Sequence, residues 1–273
     1  MESKECCRMI VPVVLVACGL TVVARTSCAE PPRRSAIVGK SLTAEERARI
    51  RSSPDNDLVS IVKTGGIDAR GVAIGALMAR DKGDLLLAIA KAGPRQVSDE
   101  VIEGYVPIAA TDANSAAKER VDAYIAWLEE QLKAESPVVS PHVAVRGLGR
   151  VAVLPSCGMR NLPTEPRMPA PYQYQRVVSD LCGLLNDKRL LVRTEAVHRL
   201  HSVGGYAEKG TELAKNALTA YRQVVAAQAP DDEKGRERQR VYLGEIDAAI
   251  KRVLVDRATR IRFGVEGETK PVR

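Results

Sequence analysis

Residues 178–204 read VSDLCGLLNDKRLLVRTEAVHRLHSVG, and the reading of the whole chain starts from them. Leu181, Leu184 and Leu185 share one face of a first helix, Asn186-Asp187 makes a turn, and a second helix opens with Leu191-Val192-Arg193. In that second helix Ala196 stands three residues after Arg193, Val197 four and Leu200 seven, which is a single helical face. The small Ala lets a neighbouring helix come close, while Val and Leu fill the space between layers. The same spacing occurs at Arg70, followed by Ala73, Ile74 and Leu77. A weaker copy starts at Arg146, with Gly149 third and Val153 seventh but Arg150 in the fourth place. Arg70 and Arg193 are 123 residues apart, three units of about 41, within the range of helical-pair repeats.

On these residues the chain resembles the HEAT-repeat family of α-solenoids, with its best match over Val178–Gly204 and a looser one over Asp57–Ala92. The resemblance implies an all-α solenoid of helical pairs. It also implies structural roles for Asp187, Arg193 and Arg70, because in that family a turn Asp and a second-helix Arg form a ladder between adjacent repeats. The stretch near residue 110 shows no such signature.

Helical segments separated by short breakers fill the rest. Thr43-Ala44-Glu45-Glu46 has the form of a capping box and opens a helix to about Ser52, stopped by Ser53-Pro54. Leu58–Lys63 forms a short helix ended by Gly65-Gly66, Asp68 caps another to about Arg80, and a further one runs from Gly83-Asp84 to Gly93-Pro94. Over Asn114–Ala134 the stripe Val121, Tyr124, Ile125, Leu128 and Leu132 predicts a long helix. No stretch alternates apolar and polar residues between hairpin turns, so the fold is read as all-α. Gly71 and Gly75, like Gly147 and Gly149, are read as points of close helix contact.

Leu154–Tyr174 carries five prolines in 21 residues, a density no helix survives. It interrupts the solenoid either as an ordered loop or as a linker between residues 30–153 and 175–262. A loop on a rigid scaffold is where recognition is expected, so Arg160, Arg167, Tyr172 and Tyr174 are candidate binding residues. A C-terminal hairpin follows: Tyr206–Gln228, with Leu213, Ala217, Leu218, Tyr221, Val224 and Val225 on one face, then a helix to about Arg260 with Leu243, Ile246, Ile250, Val253 and Leu254 inward. Residues 263–273 are a tail.

At the other end, Met9–Ala24 is apolar, broken by Pro12, and shorter than the roughly 20 residues of a spanning helix. With small residues at Ser27 and Ala29, residues 1–29 read as a signal peptide cleaved before Glu30. A competing reading takes Leu15-Val16-Ala17-Cys18 as a lipoprotein signal box, and only lipidation of Cys18 would tie the protein to a membrane. Either way the protein is expected to be exported, to a periplasmic or extracellular location or anchored at the envelope. Four of the six Cys fall in this leader, leaving Cys157 and Cys182, which could pair or remain separate thiols.

The chain's formal net charge is +7, spread along its length, which does not indicate a nucleic-acid partner. Aromatic residues are only 3%, as suits helices packing through Ala, Gly, Val and Leu, and exposed rings for stacking on sugars or bases are scarce. Neither a phosphate loop nor a nucleophile elbow appears, so no catalytic residue and no cofactor are assigned. His198 and His201 are three apart on a helix with only Cys182 nearby, too few ligands for a metal, and Glu195 beside His198 reads as a surface pair. The expected function is an exported, non-enzymatic helical scaffold for a protein or peptide partner. The alternative is a helical envelope enzyme whose acid and base are carboxylates from separate helices.

Overall fold

The computed structural model describes residues 41–105, 107, 115–152, 172–204 and 208–262. The leader, the Pro-rich segment up to residue 171 with Cys157, Arg160 and Arg167, and the tail lie outside them. Among the described residues there are eleven helices and no strand. They are α1 (Ala44–Ser52), α2 (Asp55–Thr64), α3 (Ile67–Ala79), α4 (Gly83–Ala92), α5 (Arg95–Gly104), α6 (Ser115–Lys133), α7 (Pro141–Val151), α8 (Tyr174–Leu184), α9 (Leu190–Val203), α10 (Glu208–Ala227) and α11 (Glu233–Arg262). No described helix is long and apolar enough to cross a membrane.

From α2 onward the helices pair in chain order, α2 with α3, α4 with α5, α6 with α7, α8 with α9 and α10 with α11. The second helix of each pair also packs on the second helix of the next, giving a continuous row α3–α5–α7–α9–α11, with α1 added at its start. The fold is an all-α solenoid ending in a helical hairpin. Arg70 and Arg193 are three steps apart in this row, as their separation suggested, but the steps are unequal in length.

One face recurs in every second helix. Positions i, i+3, i+4 and i+7 are Arg70, Ala73, Ile74 and Leu77 in α3, then Ser98, Val101, Ile102 and Tyr105 at α5. They are Ala144, Gly147, Leu148 and Val151 in α7, Arg193, Ala196, Val197 and Leu200 in α9, and Ile246, Ala249, Ile250 and Val253 in α11. The last three of each set are buried, apart from half-buried Ile250. The α7 copy is therefore anchored at Ala144 rather than Arg146. Helix α5, which the sequence pattern left unassigned, carries the face without the Arg: Ser98 stands there instead, fully buried, its hydroxyl donating to the Ala90 carbonyl at 2.7 Å.

Local chemistry sets the helix ends. The Thr43–Glu46 capping box forms in both directions, the Glu46 amide donating to Thr43 at 3.1 Å and the Thr43 amide to Glu46 at 2.7 Å. Pro141 begins α7 at the position where a missing N–H costs nothing. The helix before it leads into a turn clamped by α5: Asp99 accepts from the Ser140 amide at 2.6 Å and hydroxyl at 2.5 Å, and Arg95 donates to the Pro137 carbonyl at 2.8 Å.

The four glycines read as close contacts divide into two kinds. A Cβ on Gly147 would come within 2.9 Å of Leu128 and 3.0 Å of Ile102, and one on Gly149 within 2.9 Å of the Arg199 stem. Those two contacts are as expected. A Cβ on Gly71 or Gly75 would meet nothing within 4 Å, so these glycines face outward and the expectation for them is corrected. In the hairpin, Leu213, Val224 and Leu254 are likewise exposed rather than inward, while Leu218, Tyr221, Val225, Ile246 and Val253 form the core.

Two substitutions test this division. Gly71→Ala should stabilise the fold by about 0.5–1 kcal/mol, since an exposed helix interior gains Ala propensity. Gly147→Val should destabilise it by about 1–3 kcal/mol through overpacking. Urea unfolding of both variants measures the two signs.

Candidate functional site

The second-helix row is stitched by charge as well as by apolar contact. Arg70 of α3 forks onto Glu100 of α5, Nε to Oε2 at 2.5 Å and Nη2 to Oε1 at 2.7 Å. Glu103 of α5 accepts from Arg146 of α7 at 2.6 Å, and Arg146 forks onto Glu195 of α9 with both contacts at 3.1 Å. His198 of α9 lies 3.7 Å from Glu245 of α11. A ladder between repeats thus exists, but its rungs differ from those the resemblance implied. The Asp187 carboxylate accepts from Arg189, whose hydrogen bonds hold it below the usual carboxylate range. Arg193 donates instead to the Asp187 carbonyl at 2.7 Å and to the Tyr221 hydroxyl at 3.0 Å, which joins α9 to the last pair.

Glu195, read as part of a surface pair with His198, is buried at 7% exposure between two guanidiniums, Arg146 and Arg199. Sequence spacing could show only its own helix, and its partner Arg146 comes from α7. Tyr174, a candidate binding residue, is 3% exposed, and its hydroxyl donates between the Val203 and Gly204 carbonyls at 3.0 and 3.1 Å. It closes the end of α9, because those carbonyls have no intrahelical partner. Tyr172 remains exposed, under the Lys118 ammonium at 5.2 Å, with its hydroxyl donating to the Lys118 carbonyl. Cys182 is a free thiol, its pKa pushed up to about 12 by burial, and Cys157 lies outside the described residues.

A groove of about 620 Å³ lies between α1 and α3. Its floor is the outward face of α3, where Gly71, Gly75 and Ala79 expose backbone, and Ile67 at 62% exposure stands at its mouth. Arg47 and Arg51 of α1 form the rim, with no ion-pair partner among the described residues. Helix α1 has no fully buried residue. It is held at its end by Arg80, which donates to the Arg51 carbonyl at 2.6 Å, the Ser53 carbonyl at 2.8 Å and the Asp55 carboxylate at 2.7 Å. Asp68 is the one acidic residue of the lining. The sequence signal for the groove was present in the outward register of Gly71 and Gly75 but was read as its opposite.

A carboxylate pair occurs on the first-helix side. Asp180 of α8 is pushed up to about 6 by burial and by the neighbouring Glu129 of α6, and its Oδ2 is buried without a hydrogen bond. Glu129 is itself held by Arg176 at 2.8 Å. Neither carboxylate lines the α1–α3 groove.

No family model matches the chain, and no curated protein matches it. Two solved structures are similar over most of its length. One is an engineered protein, 15% identical with a TM-score of 0.42, covering 77% of this chain and 88% of the other. The second is a designed armadillo repeat protein in complex with the peptide (KR)4, 14% identical with a TM-score of 0.43, covering 77% and 90%. The solenoid assignment rests on the chain's own helix order and packing.

Two predictions follow from the charges. Glu195→Ala leaves Arg146 and Arg199 facing each other across a half-buried contact and should cost about 3 kcal/mol in denaturant unfolding. Asp180 binds its proton more tightly folded than unfolded. Its contribution therefore favours folding below about pH 4 and is lost as pH rises through about 6. Asp180→Asn should raise the melting temperature at pH 7, with the gain over wild type vanishing towards pH 4.

Proposed function

We propose that this chain is an exported helical-repeat scaffold, HEAT-like in its pairing, which binds an acidic segment of a protein partner in the groove between α1 and α3. The observation that carries the reading is the groove itself: an open floor of small residues under two exposed guanidiniums that lack partners among the described residues. Exposed backbone on the floor admits a helix or extended peptide at short range, as small-residue contacts do between helices. Arg47 and Arg51 supply charge complementarity, which governs partner choice and association rate more than total affinity. Export rests on the apolar run Met9–Ala24 and on the small residues Ser27 and Ala29. The HEAT-like reading rests on the turn and second-helix pattern at Asp187 and Arg193.

A second reading, a helical envelope enzyme, draws support from one feature, the Glu129–Asp180 pair. A carboxyl that titrates near neutrality beside a second carboxylate from another helix is the arrangement acid–base chemistry uses. The scaffold reading is preferred because the described groove and the carboxylate pair are lined by different residues.

Fluorescence anisotropy with labelled amphipathic peptides tests the proposal. A peptide with an acidic face should bind, a Lys/Arg-faced peptide of the same length should not, and Arg47→Glu with Arg51→Glu should weaken the acidic peptide by about tenfold or more. Gly75→Leu, which fills the floor, should weaken it without loss of helicity. Equal binding of both peptides, or indifference to the charge reversal, counts against the groove.

A further inference from the structure

Helices α7 and α9 bring three guanidiniums together, those of Arg146, Arg150 and Arg199, and their donors are used very unequally. Arg146 commits Nε and Nη2 to Glu195 and Nη1 to Glu103. Arg150 turns only Nη1 inward, onto the Ile102 and Glu103 carbonyls at the end of α5, and its Nε and Nη2 make no hydrogen bond among the described residues. Arg199 is the extreme case. Its Nε is buried and lies 2.9 Å from Glu195 Oε1, yet it is not aligned for a hydrogen bond, and its Nη groups have no hydrogen-bond partner among the described residues. A guanidinium offers five N–H donors in a rigid fork; in Arg199 only Nε is fully buried without a hydrogen bond, so the Nη donors are the ones open to a ligand.

The location is set by packing. The Arg199 stem lies directly on Gly149, where any Cβ would collide with it, so the absence of a side chain there brings Arg199 beside Arg150, the next residue of α7. Among the described residues three cations face two carboxylates, Glu103 and Glu195, which leaves one positive charge in excess. Burial first, and then the repulsion of Arg146 and Arg150 against the attraction of Glu195, lowers the pKa of Arg199 from that of an ordinary arginine. A small anion between the two forks would satisfy the idle donors and balance the charge together.

We propose that Arg150 and Arg199 form a binding site for a free phosphate-class oxyanion on the row of second helices. Guanidinium forks bind tetrahedral oxyanions in bidentate fashion, and two forks from adjacent helices can hold one anion from two sides. The side chain of Arg199 is 25% exposed, an opening that suits an ion rather than a flat surface. The site is separate from the α1–α3 groove and stands or falls independently of the proposed function.

Isothermal titration of the full chain with sodium phosphate at pH 7, at constant ionic strength set with chloride, tests the site. One saturable site per chain is expected. Arg150→Gln should weaken it by about tenfold or more, as should Arg199→Lys, which keeps the charge and loses the fork. The Arg47→Glu, Arg51→Glu double variant should bind phosphate like wild type. Far-ultraviolet circular dichroism establishes that each variant is folded; because Arg150 makes no ion pair among the described residues, its variant remains informative even if Arg199→Lys unfolds. Absence of saturable heat up to about 10 mM phosphate, or unchanged affinity in Arg150→Gln, overturns the proposal.

Discussion

Each inner second helix of this solenoid, α5, α7 and α9, must pack against its own first helix and against two other second helices, and a narrow face has to serve all of these contacts. The recurring i, i+3, i+4, i+7 face meets that demand. In α7 the constraint is tightest, because Gly147 receives Leu128, Ile102 and Tyr124 from two different helices while Gly149 receives Arg199 from a third. Interiors pack near crystalline density, so a single added methyl at such a point shifts a neighbour. The unequal step lengths and the hairpin at the end can vary because this one face does not.

Charge is laid over the same row and follows from the same geometry. Residues on or beside the buried face meet their counterparts on the next second helix, which is why buried Arg70 reaches Glu100 and Arg146 reaches buried Glu195. Pairs in such positions lose part of their hydration, and their worth lies in register as much as in energy. The groove between α1 and α3 lies outside this economy. Helix α1 sits at the start of the row with a polar sequence and is held chiefly by Arg80 at its end, so the outward face of α3 stays open.

Much of the fold was legible from residues near one another in the chain. The capping box at Thr43, the stops at Gly65-Gly66 and Gly93-Pro94, the long stripe of α6 and the terminal hairpin are all local signals, and each element formed close to where it was read. Helix α5 was missed because its ten residues are mostly polar and its anchoring position is Ser98 rather than Arg. Tyr174 was placed on the binding loop because it follows five prolines, yet the carbonyls it satisfies belong to α9, some 30 residues further on. The outward face of Gly71 and Gly75 was misread because glycine gives the same letter whether it makes room for a neighbour or leaves a surface bare.

The sequence by itself determined most of the helices and their order, and the faces that α3 and α9 bury, because periodicity, caps and breakers act over a few residues. Only the tertiary structure decided which arginine meets which carboxylate, that Glu195 is enclosed while Arg47 and Arg51 are not, and that the Arg199 stem lies on Gly149. Those outcomes depend on the distance between helices dozens of residues apart, and a small change in register, such as the two-residue shift from Arg146 to Ala144 in α7, changes every partner.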